Sequence, residues 1–305
     1  MKTYADGIGT LYNTLKDNGM KVFIGTVTTG ACLSVVSQTK ADNMFQITPS
    51  ASAAKVIAND NCFQVCFTDP NQGTASADYI ASKGLATKVA VIYNSSDAYS
   101  SGIYDNFKAE AAAKGLDLVA SEAFTGDSKQ DFSSQLSKIK ASGAELIFLP
   151  IYYQEASLIL SQAKNAGITA KFFGCDGLDG LLNIENFDKS LAENVMLLTP
   201  FAANATDETT KKFVAAYNAK YDPSTLNQFA ADAYDAVYVV KAAAEKAGVT
   251  GDMSVSDICN ALKGAMTEIT VDGVTGSGMT WKATGEVNKE PKAVKIENGE
   301  YQPMD

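Results

Sequence analysis

Hydroxyl side chains follow two successive β-type segments near the start of the chain. Residues 21–25 (KVFIG) are a short apolar run that leads to Thr28-Thr29-Gly30, and residues 45–48 (FQIT) lead to Ser50-Ala51-Ser52. Ligands of open parallel sheets bind at the carboxyl ends of strands, and the free N–H groups of a helix's first turn attract anions. Thr29 and Ser52 therefore suit a small-anion site, unless they only cap the helices that follow.

A carboxylate and three tyrosines occupy further turns of the same kind. Asp176 follows a β-type run, with glycines close on either side. It suits a bound cation, unless it is simply a turn-forming Asx residue. Tyr99, Tyr152 and Tyr153 suit a ligand with an apolar body, whereas each taken singly is also explained as a wall between core and solvent. An anion site, a cation site and aromatic side chains together fit a free α-amino acid.

The composition excludes several kinds of active site. The chain has 305 residues, a net charge of −10 and no histidine. The absence of histidine removes Ser-His-Asp and Cys-His catalysis and most zinc sites. No GxGxxG, GxxxxGK[ST] or GxSxG motif occurs, so we expect no enzyme activity, no cofactor and no metal. No basic stripe that would bind nucleic acid is present.

The cysteines and the apolar runs bear on location. Five cysteines form no metal-type CxxC pair, and Cys62 and Cys66 are interpreted as small core residues rather than as a disulfide. No apolar run reaches transmembrane length. The first seven residues, MKTYADG, lack the apolar segment of a signal peptide, so no signal sequence is expected within this sequence.

The order of strand-like and helical segments predicts the architecture that positions these turns. From residue 21 to residue 200 short apolar runs alternate with helical patterns, among them 31–40 and a helix that starts at Ala53. Helices then dominate until about residue 266, and 292–297 is a final strand. This alternation predicts an α/β protein with parallel sheets and right-handed crossovers, divided into two lobes. Asp69-Pro70 and Pro200 are the predicted crossings between the lobes.

Seven segments carry a resemblance to a known family. They are FIGTVTTGACLSV, MFQITPSASA, NCFQVCFTDPNQG, VAVIYNSSDAYSSG, LIFLPIYYQEASLIL, KFFGCDGLDG and LNQFAADAYDAV. In this order they resemble the periplasmic-binding-protein-like type I family, close to the branched-chain (Leu/Ile/Val) amino-acid substrate-binding proteins of ABC importers. The pair FTDPNQG and FGCDGLDG is the most specific part of the match, which runs from about residue 21 to the C-terminus.

The resemblance implies a set of ligand contacts and a fold. The ligand-binding residues it implies are Thr29, the Ala51 backbone and Ser52 for a carboxylate, Asp176 with Tyr152 for an α-ammonium group, and Tyr99 and Phe229 as aromatic contacts. The implied fold has two Rossmann-like lobes that close around the ligand in an interlobe cleft. Three crossings join the lobes, the third near Trp281. Residues 1–69 and 201–280 would form lobe 1, and 70–200 and 281–305 lobe 2.

The function implied is that of a non-enzymatic solute-binding protein. It would capture a branched-chain or other apolar amino acid outside the cytoplasm, in the periplasm or lipid-anchored at the cell surface. Its partner would be the membrane permease of an ABC importer. The alternative is a ligand-sensing domain of a regulator or receptor with the same fold.

One departure from the family pattern concerns the N-terminus. Only about twenty residues precede Lys21, too few for the strand–helix–strand unit with which family members open. A strand missing from the middle of the first sheet would leave buried N–H and C=O groups unpaired. Three arrangements avoid this: residues 1–9 form a replacement strand, the flanking strands close up, or a second chain inserts a strand. We expect one of the last two, and hence a possible dimer through the first lobe.

Overall fold

The computed structural model describes residues 5–304 and divides the chain into two compact units. Unit 1 extends to Thr68 and includes Phe229–Glu290, and unit 2 comprises Asp69–Gln228 and the residues from Pro291 onward. The chain therefore passes from one unit to the other three times. The second and third passages lie after Gln228 and Glu290, later than the residues 200 and 280 predicted from the sequence.

Packing explains these later passages. Phe201 contacts Phe213 edge to face, with ring centroids 5.8 Å apart, so the segment that follows Pro200 packs within unit 2. The indole Nε1 of Trp281 donates a hydrogen bond of 2.8 Å to the carbonyl of Gln64. Trp281 and its neighbours therefore belong to unit 1.

The sheet of unit 1 is short and entirely parallel. In the described part of the chain its strands are β1 (Phe23–Ile24), β2 (Gln46–Thr48) and β3 (Cys62–Gln64), in the order β1-β2-β3. Both β1 and β3 pair with β2 in parallel. The helices of this unit are α1 (Ala5–Asp17), α2 (Thr29–Leu33), α3 (Val36–Ala41), α9 (Gln228–Ala247), whose first residue still belongs to unit 2, and α10 (Val255–Met266).

Direct pairing of β1 with β2 is one of the three arrangements predicted for this sheet. Phe23 N–H donates to the Phe45 carbonyl, and Gly25 N–H to the Ile47 carbonyl, both at 2.9 Å. Residues 5–9 lie in α1 and not in a strand, and residues 1–4 lie outside the described residues. Pairing of two copies through this unit stays a prediction.

Unit 2 is built on a larger, mostly parallel sheet. Its strands in the described residues are β4 (Lys88–Asn94), β5 (Asp117–Phe124), β6 (Leu146–Leu149), β7 (Lys171–Gly174), β8 (Met196–Thr199), β9 (Lys292–Glu297) and β10 (Glu300–Pro303). The order is β10-β9-β8-β7-β6-β4-β5. The helices are α4 (Asp69–Ser82), α5 (Ala98–Ala113), α6 (Ser133–Ser142), α7 (Tyr153–Asn165) and α8 (Glu208–Asn218).

The strands of unit 2 bring their carboxyl ends to one edge of the sheet. Strands β4 to β8 pair in parallel, and β9 and β10 are added antiparallel at one side. The four residues of β6, Leu146–Leu149, are all buried, as expected for a strand covered on both faces. The predicted α/β class with parallel sheets is confirmed.

The cysteines and the helices agree with two further expectations. All five cysteines are buried and none forms a disulfide, so Cys62 and Cys66 are core residues and not a disulfide. Among residues 5–304, no helix has both the length and the apolar character needed to cross a bilayer.

Candidate functional site

In unit 1 the two hydroxyl-rich turns meet. Thr29 is the first residue of α2, and Ser52 follows β2 by four positions. The Thr29 Oγ1 accepts hydrogen bonds from the N–H groups of Ser52 at 3.3 Å and Ala53 at 3.4 Å. Thr29 is 1 % and Ser52 0 % exposed. The sequence pattern thus brings together two hydroxyl groups and two backbone donors in a buried position.

The Ala51 backbone, for which the resemblance implies a ligand contact, also forms a hydrogen bond within the protein. Its N–H group donates to Thr48 Oγ1 at 2.9 Å, and the same hydroxyl donates to the Thr26 carbonyl at 2.6 Å. This pair of bonds ties the turn after β2 to the turn after β1. Without a bound molecule, the Ala51 N–H therefore shapes the turn.

Ser52 carries the unused donor of this cluster. Within residues 5–304 its Oγ has no hydrogen-bond partner, although the side chain is fully buried. A buried hydroxyl without a partner loses free energy relative to one in water. An anion would thus accept a hydrogen bond from the Ser52 hydroxyl. It would also accept hydrogen bonds from the Ser52 and Ala53 N–H groups, whose bonds to Thr29 are long.

The helices behind these turns are shorter than predicted. Residues 31–40 were expected as one helix, but Ser34 and Val35 interrupt it between α2 and α3, and Ser34 Oγ donates to the Ala31 carbonyl at 2.6 Å. This local bond competes with helical backbone bonding. The helix expected from Ala53 is a single 3-10 stretch, Ala54–Ile57. Individual N–H groups, and not a long helix dipole, therefore supply the positive potential at this site.

In unit 2 a tyrosine and a carboxylate form a buried pair. Tyr99, in the first turn of α5, donates its hydroxyl to Asp176 Oδ1 at 2.6 Å. The same hydroxyl accepts the N–H of Gly177 at 2.9 Å. Tyr99 is 2 % and Asp176 3 % exposed. Burial, and next the charge of Asp176, raise the pKa of Tyr99 well above its usual value, so its hydroxyl stays a donor to the carboxylate.

Two glutamines fix the backbone of Asp176. Gln72 Oε1 accepts the Asp176 N–H at 3.2 Å, and Gln228 Nε2 donates to the Asp176 carbonyl at 2.5 Å. Neither glutamine was predicted as a site residue from the sequence. Both lie in segments that carry the family resemblance, FTDPNQG and LNQFAADAYDAV, and that was the available signal.

The remaining predicted residues lie near these groups or at the passage between units. Tyr152, at the N-cap of α7, stacks on Tyr99 with ring centroids 4.7 Å apart and planes at 17°. Tyr99 is thus held between Asp176 and Tyr152, where the sequence suggested an aromatic ligand contact. Phe229 is half-buried and is the first residue of unit 1 after the second passage.

A surface cavity of about 440 Å³ in unit 2 contains none of these residues. It lies between α7 and the amino ends of β7 and β8, and Leu160, Lys164, Phe172 and Leu191 are among its lining. Strand-end turns with buried polar groups, and not this cavity, hold the candidate binding groups. Among the described residues, no cluster of three Cys, Asp or Glu side chains is arranged to hold a metal ion.

Comparisons with known proteins identify the family. The model of the family described as periplasmic binding protein matches residues 2–300. A Leu/Ile/Val-binding protein homologue from Brucella melitensis is 32 % identical over 79 % of this chain and 64 % of its own length. A leucine-, isoleucine-, valine-, threonine- and alanine-binding protein from Pseudomonas aeruginosa is 28 % identical, over 82 % of this chain and 66 % of its own length. The chain thus spans just under two thirds of each of these relatives.

Solved structures show the same fold. The branched-chain amino acid transporter substrate-binding protein LivJ from Streptococcus pneumoniae, in complex with isoleucine, superposes with a TM-score of 0.85 at 26 % identity. The match covers 99 % of this chain and 83 % of that one. With the family model matched along nearly the whole chain, the resemblance found in the sequence is confirmed: the chain belongs to the periplasmic binding protein family.

Proposed function

We propose that this chain is a solute-binding protein for a free amino acid with an apolar side chain. The observation that carries the proposal is the Asp176 carboxylate, buried in unit 2 and oriented by the hydroxyl of Tyr99. A buried carboxylate suits a cation. An α-ammonium group is the cation that a free amino acid brings.

Unit 1 carries groups that suit the carboxylate of an amino acid. Ser52 Oγ, with no partner in the described part of the chain, and the N–H groups now shared with Thr29 are donors for a carboxylate. Donors without negative charge suit an anion, just as Asp176 suits a cation. The names of the Brucella and Pseudomonas relatives support a branched-chain or similarly small apolar side chain.

The partner and the location follow from the same proposal. The chain works outside the cytoplasm and delivers its amino acid to the membrane permease of an ABC importer, without catalysing a reaction. The family membership and the isoleucine-bound relative LivJ support this role.

The first test replaces Asp176 and changes the ligand at the same time. Isothermal titration of the wild type should give strong binding of leucine and much weaker binding of 4-methylpentanoate, which is leucine without its amino group. Asp176→Ala should weaken leucine binding by about thirtyfold or more, because losing one partner of a buried charge pair costs about 2–5 kcal/mol. The variant should then distinguish poorly between the two ligands.

A matched control is available in the same unit. Asp117 is exposed at the first position of β5, and Asp117→Asn should bind leucine as the wild type does. If Asp176→Ala preferred leucine over 4-methylpentanoate as strongly as the wild type, Asp176 would not hold the ammonium group. Failure of the wild type to bind any of the twenty amino acids would reject the proposed function.

A further inference from the structure

A series of contacts between buried polar side chains lies behind the turn that follows β2. Ser50 Oγ lies 3.4 Å from Asp232 Oδ2, and the other carboxylate oxygen, Oδ1, lies 3.5 Å from Lys289 Nζ. Asp232 is 1 %, Lys289 5 % and Ser50 6 % exposed. Asp232 belongs to α9, so these contacts connect a helix to the turn that carries Ala51 and Ser52.

The series of polar contacts continues to a second carboxylate, that of Asp235. Lys289 Nζ donates to Thr275 Oγ1 at 2.5 Å, and Thr275 Oγ1 donates to Asp235 Oδ2 at 2.6 Å. Asp235 also accepts the N–H groups of Val274 and Thr275, each at 2.8 Å. Asp235 thus accepts three short hydrogen bonds, whereas the contacts of Asp232 to Ser50 and Lys289 are 3.4 and 3.5 Å long.

Burial, and not the neighbouring charges, favours a proton on Asp232. The charged groups that act on it are Lys289, which precedes β9, and Asp235 on its own helix. Ser50 and Thr275, from two other segments, are uncharged. Burial raises the pKa of Asp232 to about 6; Asp235 adds to the rise and Lys289 opposes it. A further negative charge nearby would favour protonation more strongly.

We propose that Asp232 is a positioning residue of the carboxylate-binding turn, and that binding of the ligand's carboxylate is accompanied by uptake of one proton from solvent at Asp232. This inference rests on the proposed function, in which Ser52 and its neighbours hold a carboxylate. Ser50 directly precedes Ala51-Ser52, so the new anion arrives next to the residue that Asp232 holds. An ionised Asp232 repels that anion, whereas a protonated one does not and still bonds to Ser50.

The coupling has a defined sign. Ligand binding raises the proton affinity of Asp232, and by linkage a proton on Asp232 raises the affinity for the ligand. Binding should therefore strengthen as the pH falls from about 7 to about 5. Protonation of Asp176 would act in the opposite direction, because it removes the partner of the ammonium group and makes binding release a proton.

Titration calorimetry in buffers of different ionisation enthalpy measures the proton count directly. At pH 6 the wild type should take up on the order of half a proton per leucine bound. The chain contains no histidine, so no imidazole contributes to this count. Asp232→Asn should abolish the uptake and leave an affinity that does not vary between pH 5 and 7.

A second pair of variants separates positioning from simple stability. Ser50→Ala removes the hydroxyl donor to ionised Asp232, so the midpoint of proton uptake should move to higher pH, and Ser50→Thr should restore it. This pair remains informative if Asp232→Asn folds poorly. Asp60→Asn is the control, because ion pairs with Lys40 and Lys263 lower the pKa of Asp60 to about 2 and keep it ionised throughout this range.

The outcomes are distinct. Leucine binding without proton exchange in the wild type, or proton uptake that persists unchanged in Asp232→Asn, would overturn this inference and leave the proposed function standing. Absence of any amino-acid binding would overturn both. Uptake lost in Asp232→Asn, shifted in Ser50→Ala and retained in Asp60→Asn is the result we expect.

Discussion

At the residue scale, the hydroxyl of Tyr99 connects two buried polar groups. It donates to the Asp176 carboxylate and accepts the Gly177 N–H. Its ring stacks on Tyr152 at the same time. One side chain therefore fixes the carboxylate's direction, the backbone beside it and a neighbouring aromatic ring.

Tyr99→Phe should weaken amino-acid binding by about tenfold or more. The variant keeps the ring stack but leaves a buried N–H without its acceptor and a buried carboxylate without its donor, and each unpaired group costs about 1–3 kcal/mol. Titration calorimetry with leucine measures the loss of affinity, and thermal melting measures the loss of stability.

Tyr104→Phe is the matched control for that substitution. Tyr104 lies on the same helix, is 8 % exposed and stacks on Tyr93 at 4.0 Å. It makes none of the contacts to Asp176 or Gly177 that Tyr99 makes, so the affinity should stay within twofold of the wild type. Equal effects of the two variants would mean that the Tyr99 hydroxyl does not position Asp176.

The sequence predicted the site residues that lie close together along the chain. It did not predict the distant residues that hold them in place. Thr29 and Ser52 follow neighbouring strands, so the pattern of strand, turn and helix was enough to bring them together. The contacts of Asp232 to Ser50 and of Gln72 to Asp176 join residues 182 and 104 positions apart. Only packing of α9 and α4 against distant turns creates these contacts. No local pattern encodes them.

At the element scale, apolar runs and turn residues located most strands and helices, but competing local bonds moved several boundaries. The strand at 292–297 was predicted with the bounds that β9 has. The segment Asp69-Pro70, which was predicted as a crossing between the lobes, also begins α4, where proline is well accommodated because the first helical N–H needs no partner. Periodicity alone does not distinguish these two uses of proline.

Replacement by alanine should change the stability in opposite directions at two glycines, one at the end of a helix and one inside a helix. Gly143 follows α6 in the left-handed region, with φ 70° and ψ 28°, so Gly143→Ala should lower the free energy of unfolding by about 1–2 kcal/mol. Gly264 lies inside α10, exposed, with open space around its Cα. Gly264→Ala should raise it by about 0.5–1 kcal/mol.

Chemical denaturation followed by circular dichroism measures both changes. The two substitutions add the same methyl group, so any shared effect of added volume cancels between them. If both variants were destabilised to the same extent, backbone conformation would not be the cause.

At the scale of the whole molecule, each unit is assembled from separated stretches of chain. Unit 1 needs Phe229–Glu290 beside the described residues up to Thr68, and unit 2 needs the residues from Pro291 onward to add β9 and β10 to its sheet. The sequence indicated two lobes from the number of strands. The second and third passages could not be predicted, because they depend on which sheet the later segments pack against.

Stability should depend on pH through Asp232. Its pKa is raised to about 6 in the folded protein from its ordinary value of 3.8, so the folded state binds the proton more tightly than the unfolded state. The free energy of unfolding should therefore fall as the pH rises from about 4 to about 6, by about 2–3 kcal/mol. Above that window the contribution of Asp232 is constant.

The single tryptophan reports on the unit concerned. Trp281 is in unit 1 with Asp232 and is 4 % exposed, so its fluorescence during denaturation follows this unit. Asp232→Asn should flatten the fall in stability between pH 4 and 6, whereas Asp60→Asn should preserve it. A wild-type stability that rises across this window would contradict the assignment.

Burial of every native cysteine has a practical consequence for optical measurements. Desolvation raises the pKa of Cys62 to about 12 and also raises that of Cys175, so these thiols stay protonated, and maleimide dyes react with thiolates. A cysteine introduced at an exposed position would then be the fastest site of labelling while the native five stay in place. Such a single-dye derivative would allow the proposed capture of an amino acid to be followed by fluorescence.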